Sequence, residues 1–390
     1  MFFKTSKTGI VRRDQAVRLK GVNLGGWLMM EGYILHAPNR AERVFKEEFQ
    51  KALGRAALED FETCFRENFI GETDFARISG WGFNCIRLPF NARLIETQPY
   101  HYDENGLGYL DCAVRWAKKY DLGVILDLHA ACGAQNHDWH SDSLGPAELW
   151  DSKDCQDRTV ALWECLAGRY QDETAVIGYD LLNEPVLDNT ALLNAFYKRL
   201  ITAIRRADPN HILFVEGNRW ATDMDCLEDF EDGNLALSVH FYEPIDFTFN
   251  LVPLLSYASA GYDRGAILKR MEHYRRAAEK RGVPLFVGEF GVNARDGLYG
   301  EDHWLKDTLS VFDDMGFHWT YWTYKAVKNA ALPDGLLSCR LNPAWINRQG
   351  PRTGWDTYAR LWPEKKEEII ASWRSENFEE NPALIKIVRG

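Results

Sequence analysis

The chain has 390 residues and is 46% apolar, 26% charged and 13% aromatic, which excludes a disordered or low-complexity protein. The balance of 46 Lys and Arg against 57 Asp and Glu gives −11. Without a basic tract, that balance makes nucleic acid and anionic membrane poor partners, and no protein partner is implied. The length admits two domains or one large α/β barrel with insertions.

In chain order, residues 17–26 (VRLKGVNLGG) read as a strand ending in glycines. A long excursion over 31–60 follows, helical at 41–59, and then a helix over 67–80. NCIRLPF at 84–90 is a short strand, and 109–121 has helical spacing. VILDLH at 124–129 is a strand, followed by an aperiodic stretch, 131–153, and a helix over 154–170. VIGYDLLNEP at 176–185 is a strand stopped by Pro185, and 190–207 is an amphipathic helix. Strands at 211–217 and 235–242 come next, then a charged helix at 263–281. A strand at 284–291, a helix at 301–315, an eighth strand at 318–325 (HWTYWTYK) and a last helix from 353 complete the series. Short apolar strands alternating with amphipathic helices imply a parallel sheet covered by helices. Eight of them imply a single-domain (β/α)8 TIM barrel over residues 1–363, with 364–390 as a helical tail packed on or trailing from it. The alternative, a doubly wound open sheet, is usually announced by a glycine-rich phosphate loop. GGWLMMEGY after strand one lacks that spacing.

Fourteen Trp and sixteen Tyr are more rings than packing alone usually needs, so some are expected to line a binding surface. The eight cysteines form no Cys-x-x-Cys pair and no zinc-like set, and they read as free thiols. MFFKTSKTGIVRRDQ contains no apolar signal core and no run approaches 18 apolar residues. The expected location is cytoplasmic for the chain as written, or secreted or periplasmic if it is a trimmed mature form.

In a barrel, chemically useful residues gather at the C-terminal ends of the strands. Arg87, His129, Asn183 with Glu184, Glu216, His240 with Tyr242, Glu289, and Trp322 with Tyr324 stand at or near those ends. Ionisable groups are costly to bury unpaired, so packing alone is a poor reason for them. Glu184 and Glu289 fall on strands four and seven, which face one another across an eight-strand barrel. Such a pair is either structural or the two carboxyl groups that glycosidic hydrolysis needs, one protonated and one ionised. Glu216 and Asp127 read as partners of neighbouring cations. Trp139 and Trp150 are candidates to stack on sugar rings or to cap the 131–153 loop. His137 and His140 read as pocket rim, since their spacing is a weak metal signal without a third ligand. Cys132 reads as inert.

These motifs resemble the clan-A retaining glycoside hydrolases of family 5, the cellulase-like group. LLNEP carries the Asn-Glu pair at 183–184 and FVGEFG carries Glu289. RLPF at 87–90, DLHA at 127–130, HFY at 240–242 and YWTYK at 321–325 match the other strand ends in order. The resemblance spans about residues 17–361 and implies roles. Glu184 would be the acid/base and Glu289 the nucleophile. Asn183 would bond the sugar 2-hydroxyl, Tyr242 and Arg87 would bond the nucleophile, and His240 would assist the acid/base. His129 would contact the −1 sugar and Trp322 would lie under it. No cofactor and no metal are implied.

The segment LKGVNLGGWLMMEGY with Glu31, and LHAACGAQN at 128–136, resemble the exo-β-1,3-glucanase branch, where the corresponding Glu contacts the nonreducing glucose. Three departures lie in the substrate loops: Gly32 where that branch has Pro, NHDWH at 136–140 in place of a glycine-containing loop, and AVKN after Tyr324 and Lys325 where an acidic residue is usual. The implied partner is an oligosaccharide, polysaccharide or β-glycoside. Release of glucose from β-1,3-glucan ends or short β-glucosides is favoured over endo-action on β-1,4-glucan or mannan. A non-catalytic carbohydrate-binding barrel is the competing class, but it could spare either Glu. An aldolase or phosphate-binding isomerase would want a strand-end Lys or a phosphate cradle, and Lys325 and GVNARDGLYG serve poorly as either.

Overall fold

The computed structural model describes residues 1–7, 9–35, 37–339 and 355–390. Its centre is a closed barrel of eight parallel strands: β1 (Lys20–Asn23), β2 (Cys85–Asn91), β3 (Gly123–Ala130), β4 (Val176–Asp180), β5 (Ile212–Glu216), β6 (Leu235–Phe241), β7 (Leu285–Phe290) and β8 (His318–Tyr321). Each strand pairs with its neighbours in sequence, and β8 closes on β1 through Trp319↔Lys20 to Tyr321↔Val22. Seven of the eight strands are buried along their whole length, because helices cover the outer face and side chains fill the interior. The fold is a (β/α)8 TIM barrel.

The helical layer comprises Glu72–Gly80, Glu104–Lys119, Lys153–Tyr170, Thr190–Ala207, Arg264–Arg281, Glu301–Met315 and Trp355–Trp373. Residue 353, the expected start of the last of these, lies outside the described residues. The excursion after β1 holds two helices, Glu42–Leu53 and Arg55–Phe69, hinged at Gly54, so the helix expected over 67–80 begins only at Glu72. Between β5 and β6 there is only the short turn Asn218–Ala221 in place of a covering helix.

Two further features differ from the sequence reading. Residues 1–17 form an antiparallel sheet, Phe3–Ser6, Gly9–Arg12 and Gln15–Val17, whose Phe3 and Ile10 pack with Leu19, Ile125, Ile212 and Phe286 in the lower barrel interior. Strand eight is shorter than expected. Beyond a cis Trp322–Thr323 bond, Lys325–Val327 leaves the barrel and pairs with Leu337–Cys339 in a separate small sheet. Tyr324 donates to Asp74 at 2.6 Å, outside the barrel mouth. The last helix, Trp355–Trp373, contains Pro363 and kinks at Lys365, where the backbone is not helical.

Lys325 anchors this C-terminal part. Its buried ammonium donates to the carbonyls of Phe69 and Trp373 and to Ser375 Oγ, between the rings of Phe69 and Phe378. Among the described residues no helix is long and apolar enough to cross a membrane. The eight cysteines are unbridged.

At the barrel floor His318 opens β8, and its Nδ1 accepts the Leu19 N–H at 3.0 Å. Burial, with Arg18 nearby, holds the imidazole down to about 3 from its ordinary 6.5. The neutral ring therefore contributes its full stabilisation above pH 6.5, and that contribution is lost as pH falls toward 3. The loss is up to ~1.4 kcal/mol per pH unit. His318→Asn keeps an acceptor for Leu19 without a titrating ring. Its melting temperature is expected to fall less than that of the wild type between pH ~6.5 and ~4.5. Parallel falls in the two proteins would assign the acid sensitivity elsewhere.

Candidate active site

Arg87 reaches inward from β2 and is fully buried. Its guanidinium lies 3.1 Å from Asp127 on β3, 2.9 Å from Asp180 on β4, 3.1 Å from Glu216 on β5 and 2.8 Å from Glu289 on β7. It also donates to Asn183 Oδ1 at 2.8 Å and Asn23 Oδ1 at 3.2 Å. One cation thus ties six strands together, counting its own and that of Asn23. Burial first, then Glu216, pushes the Asp180 carboxyl well above the usual range, against the pull of Arg87. Asp180 escapes the alternation rule because β4 slips by one residue: Val124 pairs with Val176, but Ile125 pairs with Gly178.

Glu289 accepts from Arg87 at Oε1 and from the Tyr242 hydroxyl at Oε2, both at 2.8 Å. The two donors fix the carboxylate in orientation. Glu184 follows β4 with a left-handed backbone, φ +50°, which a non-glycine residue holds only when its surroundings enforce it. Its N–H donates to Glu216 Oε2 at 2.6 Å, and its carbonyl accepts from Asn136 at 2.9 Å. Its Oε1 lies 2.6 Å from His240 Nδ1. Burial pushes Glu184 up, but His240, then His140 and His129, outweigh it and hold the carboxyl down to about 2. Burial opposes the charge on His240, yet Glu216, Glu289 and Glu184 raise it well above the ordinary imidazole range. In the free protein the proton of this pair resides on His240.

Glu31, Tyr33, His129, Trp139, Glu184, His240, Tyr242, Glu289 and Trp322 line one cavity of about 440 Å³ at the C-terminal mouth of the barrel. Arg87 and Asn183 lie beneath it. The ten residues singled out from sequence therefore converge on one place. Among the described residues, Asn183 Nδ2 and Glu31 Oε1 are buried without a hydrogen-bond partner, with His129 Nε2 3.7 Å from the latter. Burial first, then Glu289 and Glu184, pushes Glu31 well above the usual carboxylate range. His129 Nδ1 is 2.7 Å from Asp127, and its ring lies parallel to Trp322 at 5.5 Å. Trp322 donates to the Tyr33 hydroxyl. It can sit there because Gly25 has no side chain, since a Cβ would come within 2.9 Å of the indole. Gly32 has a similar reason: a Cβ would lie 2.1 Å from the Pro38 carbonyl, where the loop folds back. Trp150 does not reach the cavity. It is buried, donates to Gln135 O at 2.8 Å and caps the loop. Cys132 is partly buried beside Cys155, its thiol pushed up by burial.

The sequence reading missed Tyr33, the contact of His140 with Glu184, and Trp220, all of which line the cavity. Tyr33 stands two residues after Glu31, the one available hint. Trp220 is placed by three consecutive left-handed residues, Arg219 to Ala221, which nothing in their residue types announces. Among the described residues, one group brings potential metal donors together: Glu184, His240 and Glu289, with one donor atom of each within 4.8 Å of the others. These same atoms are engaged with one another, Arg87 and Tyr242, so the group is a hydrogen-bonded carboxylate–imidazole cluster. His137 is exposed and does not join it.

A parallel barrel with two carboxyl groups facing across an aromatic-walled cavity defines the class of barrel glycoside hydrolases. The family model Cellulase (glycosyl hydrolase family 5) matches residues 47–328. A beta-xylosidase from Phanerodontia chrysosporium is 36% identical over 342 residues, covering 84% of this chain and 71% of its own. A protein named "Probable glucan 1,3-beta-glucosidase A" from Emericella nidulans is 31% identical over 294 residues, covering 70% and 67%. A solved endoglucanase structure, 20% identical, superposes with TM-score 0.62 over 87% of this chain and 96% of its own. The chain belongs to glycosyl hydrolase family 5 and is a hydrolase of β-glycans.

Removing one member of a buried ion cluster leaves uncompensated charge and costs about 3–5 kcal/mol. Arg87→Met is expected to lose stability on that scale in urea unfolding. Asp180→Asn keeps the shape and an acceptor for Arg87 at a carboxyl whose charge burial disfavours, and should cost less than Arg87→Met. Equal losses in the two variants would contradict this charge assignment.

Proposed function

We propose that the protein is a retaining, exo-acting β-glycosidase that releases single glucose units from β-1,3-glucan ends or short β-glucosides. The observation that carries the retaining mechanism is the approach of a Glu184 oxygen and a Glu289 oxygen to within 4.8 Å. Direct displacement by a carboxylate needs a separation of about 5–5.5 Å, whereas an intervening water needs ~6.5–9.5 Å. Glu289 attacks the anomeric carbon as the bond to the leaving oxygen breaks, and Glu184 gives that oxygen its proton. The glycosyl ester then opens as water attacks, Glu184 takes the water's proton, and Glu289 departs. A bound sugar expels water from the cavity and removes the solvation that favours separated charges. The proton then moves from His240 to Glu184, where the leaving oxygen needs it. Asn183 Nδ2 is left to bond the 2-hydroxyl and Trp322 to cover the ring.

The exo reading is supported by the wall formed by Glu31, Tyr33, Trp139 and Trp322 at one side of the cavity. It is also supported by the relatives named for a xyloside and a 1,3-glucoside. The first of these names favours a second reading, in which the −1 position takes xylose.

Hydrolysis of laminarin and cellopentaose, with aryl β-glucoside and β-xyloside alongside, tests the proposal. Glucose alone from the earliest time, chiefly from laminarin, is expected, with retained configuration by NMR. A ladder of intermediate sizes would mean endo-action, and a dominant xyloside would move the assignment to the second reading. Glu289→Gln is expected to abolish turnover. Glu184→Gln should slow poor leaving groups by about 10²–10⁴-fold and activated aryl glycosides much less. Small, equal losses in both would sink the mechanism.

A further inference from the structure

Glu184 is approached by two imidazoles, one at each oxygen. His240 occupies Oε1, while His140 Nε2 lies 3.5 Å from Oε2, the oxygen left facing the cavity. His140 comes from the NHDWH segment, which sets this chain apart from the exo-glucanase branch it resembles. It is largely buried and does not reach Glu184 by chance of a loose loop. Asp138, 3.7 Å from the same Nε2, is itself held by the Trp220 indole N–H at 2.7 Å and by its own N–H on Asn136 Oδ1 at 2.9 Å. Asn136 in turn donates to the Glu184 carbonyl, and Gln135 to the Asn183 carbonyl at 2.8 Å. One loop therefore grips the strained turn at Glu184 by its backbone and its side chain together.

We propose that His140, backed by Asp138, is a positioning residue that restrains Glu184 Oε2 and sets the proton affinity of the acid/base group. This rests on the glycosidase reading above. The charged and titratable groups around the contact are Glu31 after β1, His129 on β3, Asp138 in the loop itself, Glu216 at the end of β5, His240 and Tyr242 at the end of β6, and Glu289 on β7. Of the two imidazoles, His240 hydrogen-bonds the carboxyl and His140 approaches it at ion-pair distance. Burial opposes charge on His140, but Asp138 and Glu184 raise its proton affinity above the ordinary value. A cation at Oε2 favours the ionised carboxylate, so its loss makes Glu184 and its partner hold their proton to higher pH.

His140→Gln keeps a donor near Oε2 without the charge. The ¹³C signal of the Glu184 carboxyl, assigned by its loss in Glu184→Gln, is expected to titrate about one pH unit higher in His140→Gln. The alkaline limb of kcat/KM should move up with it. Asp138→Asn should shift both in the same direction by less. His140→Ala, which also loses the restraint, should lower kcat for poor leaving groups more than for activated ones and leave KM nearly unchanged. A carboxyl titration unmoved in His140→Gln and Asp138→Asn would overturn the proposal. If the titration moves but the wild type cleaves no β-glycoside, the coupling stands and the glycosidase assignment fails.

Discussion

A guanidinium with no access to water must be neutralised where it stands. Arg87 meets that constraint with four carboxyl groups from four other strands, and the rest of the site is arranged around the result. Two of those groups, Asp127 and Glu216, carry the charge outward. Asp127 orients His129, while Glu216 fixes the Glu184 backbone and lies 3.1 Å from His240. A third, Asp180, accepts from Arg87 while burial and Glu216 raise its proton affinity. The fourth is Glu289, which is thereby placed as well as neutralised. The geometry at the cavity floor is thus a consequence of how one buried cation is satisfied.

The cavity walls follow a different logic. They are built by the segments after β1, β3, β5, β6 and β8, held by hydrogen bonds to backbone and between side chains. Trp150, Gln135 and Asn136 secure the β3 loop against the Glu184 turn. Tyr33 and Trp322 join the β1 loop to the end of β8. Variation in these loops leaves the floor untouched, which is how a shared chemical core can accompany relatives named for xylosides, glucosides and glucans.

This division also decides what could be read from the sequence. The strands were legible because buried apolar runs of 4–8 residues recur between amphipathic helices. Arg87, Glu184 and Glu289 were legible because such residues at strand ends have few structural excuses. Asp180 was hidden by a one-residue slip in β4, which period-two alternation cannot show. The N-terminal hairpin was hidden because its turn is Arg13-Asp14, both left-handed, rather than the Asn-Gly pair that advertises such turns. Trp220, and the contact of His140 with Glu184, were hidden because loop conformation, not residue spacing, brings them together at the cavity.

The buried ammonium of Lys325 has a bearing on how the molecule comes into being. Its acceptors include Trp373 O and Ser375 Oγ, and the Phe378 ring covers it. Until those residues exist, the segment that leaves β8 carries a charge without its counterparts. During synthesis this ammonium therefore lacks two of its acceptors until Trp373 and Ser375 have left the ribosome, and a nascent chain halted before them would carry the segment beyond β8 unanchored.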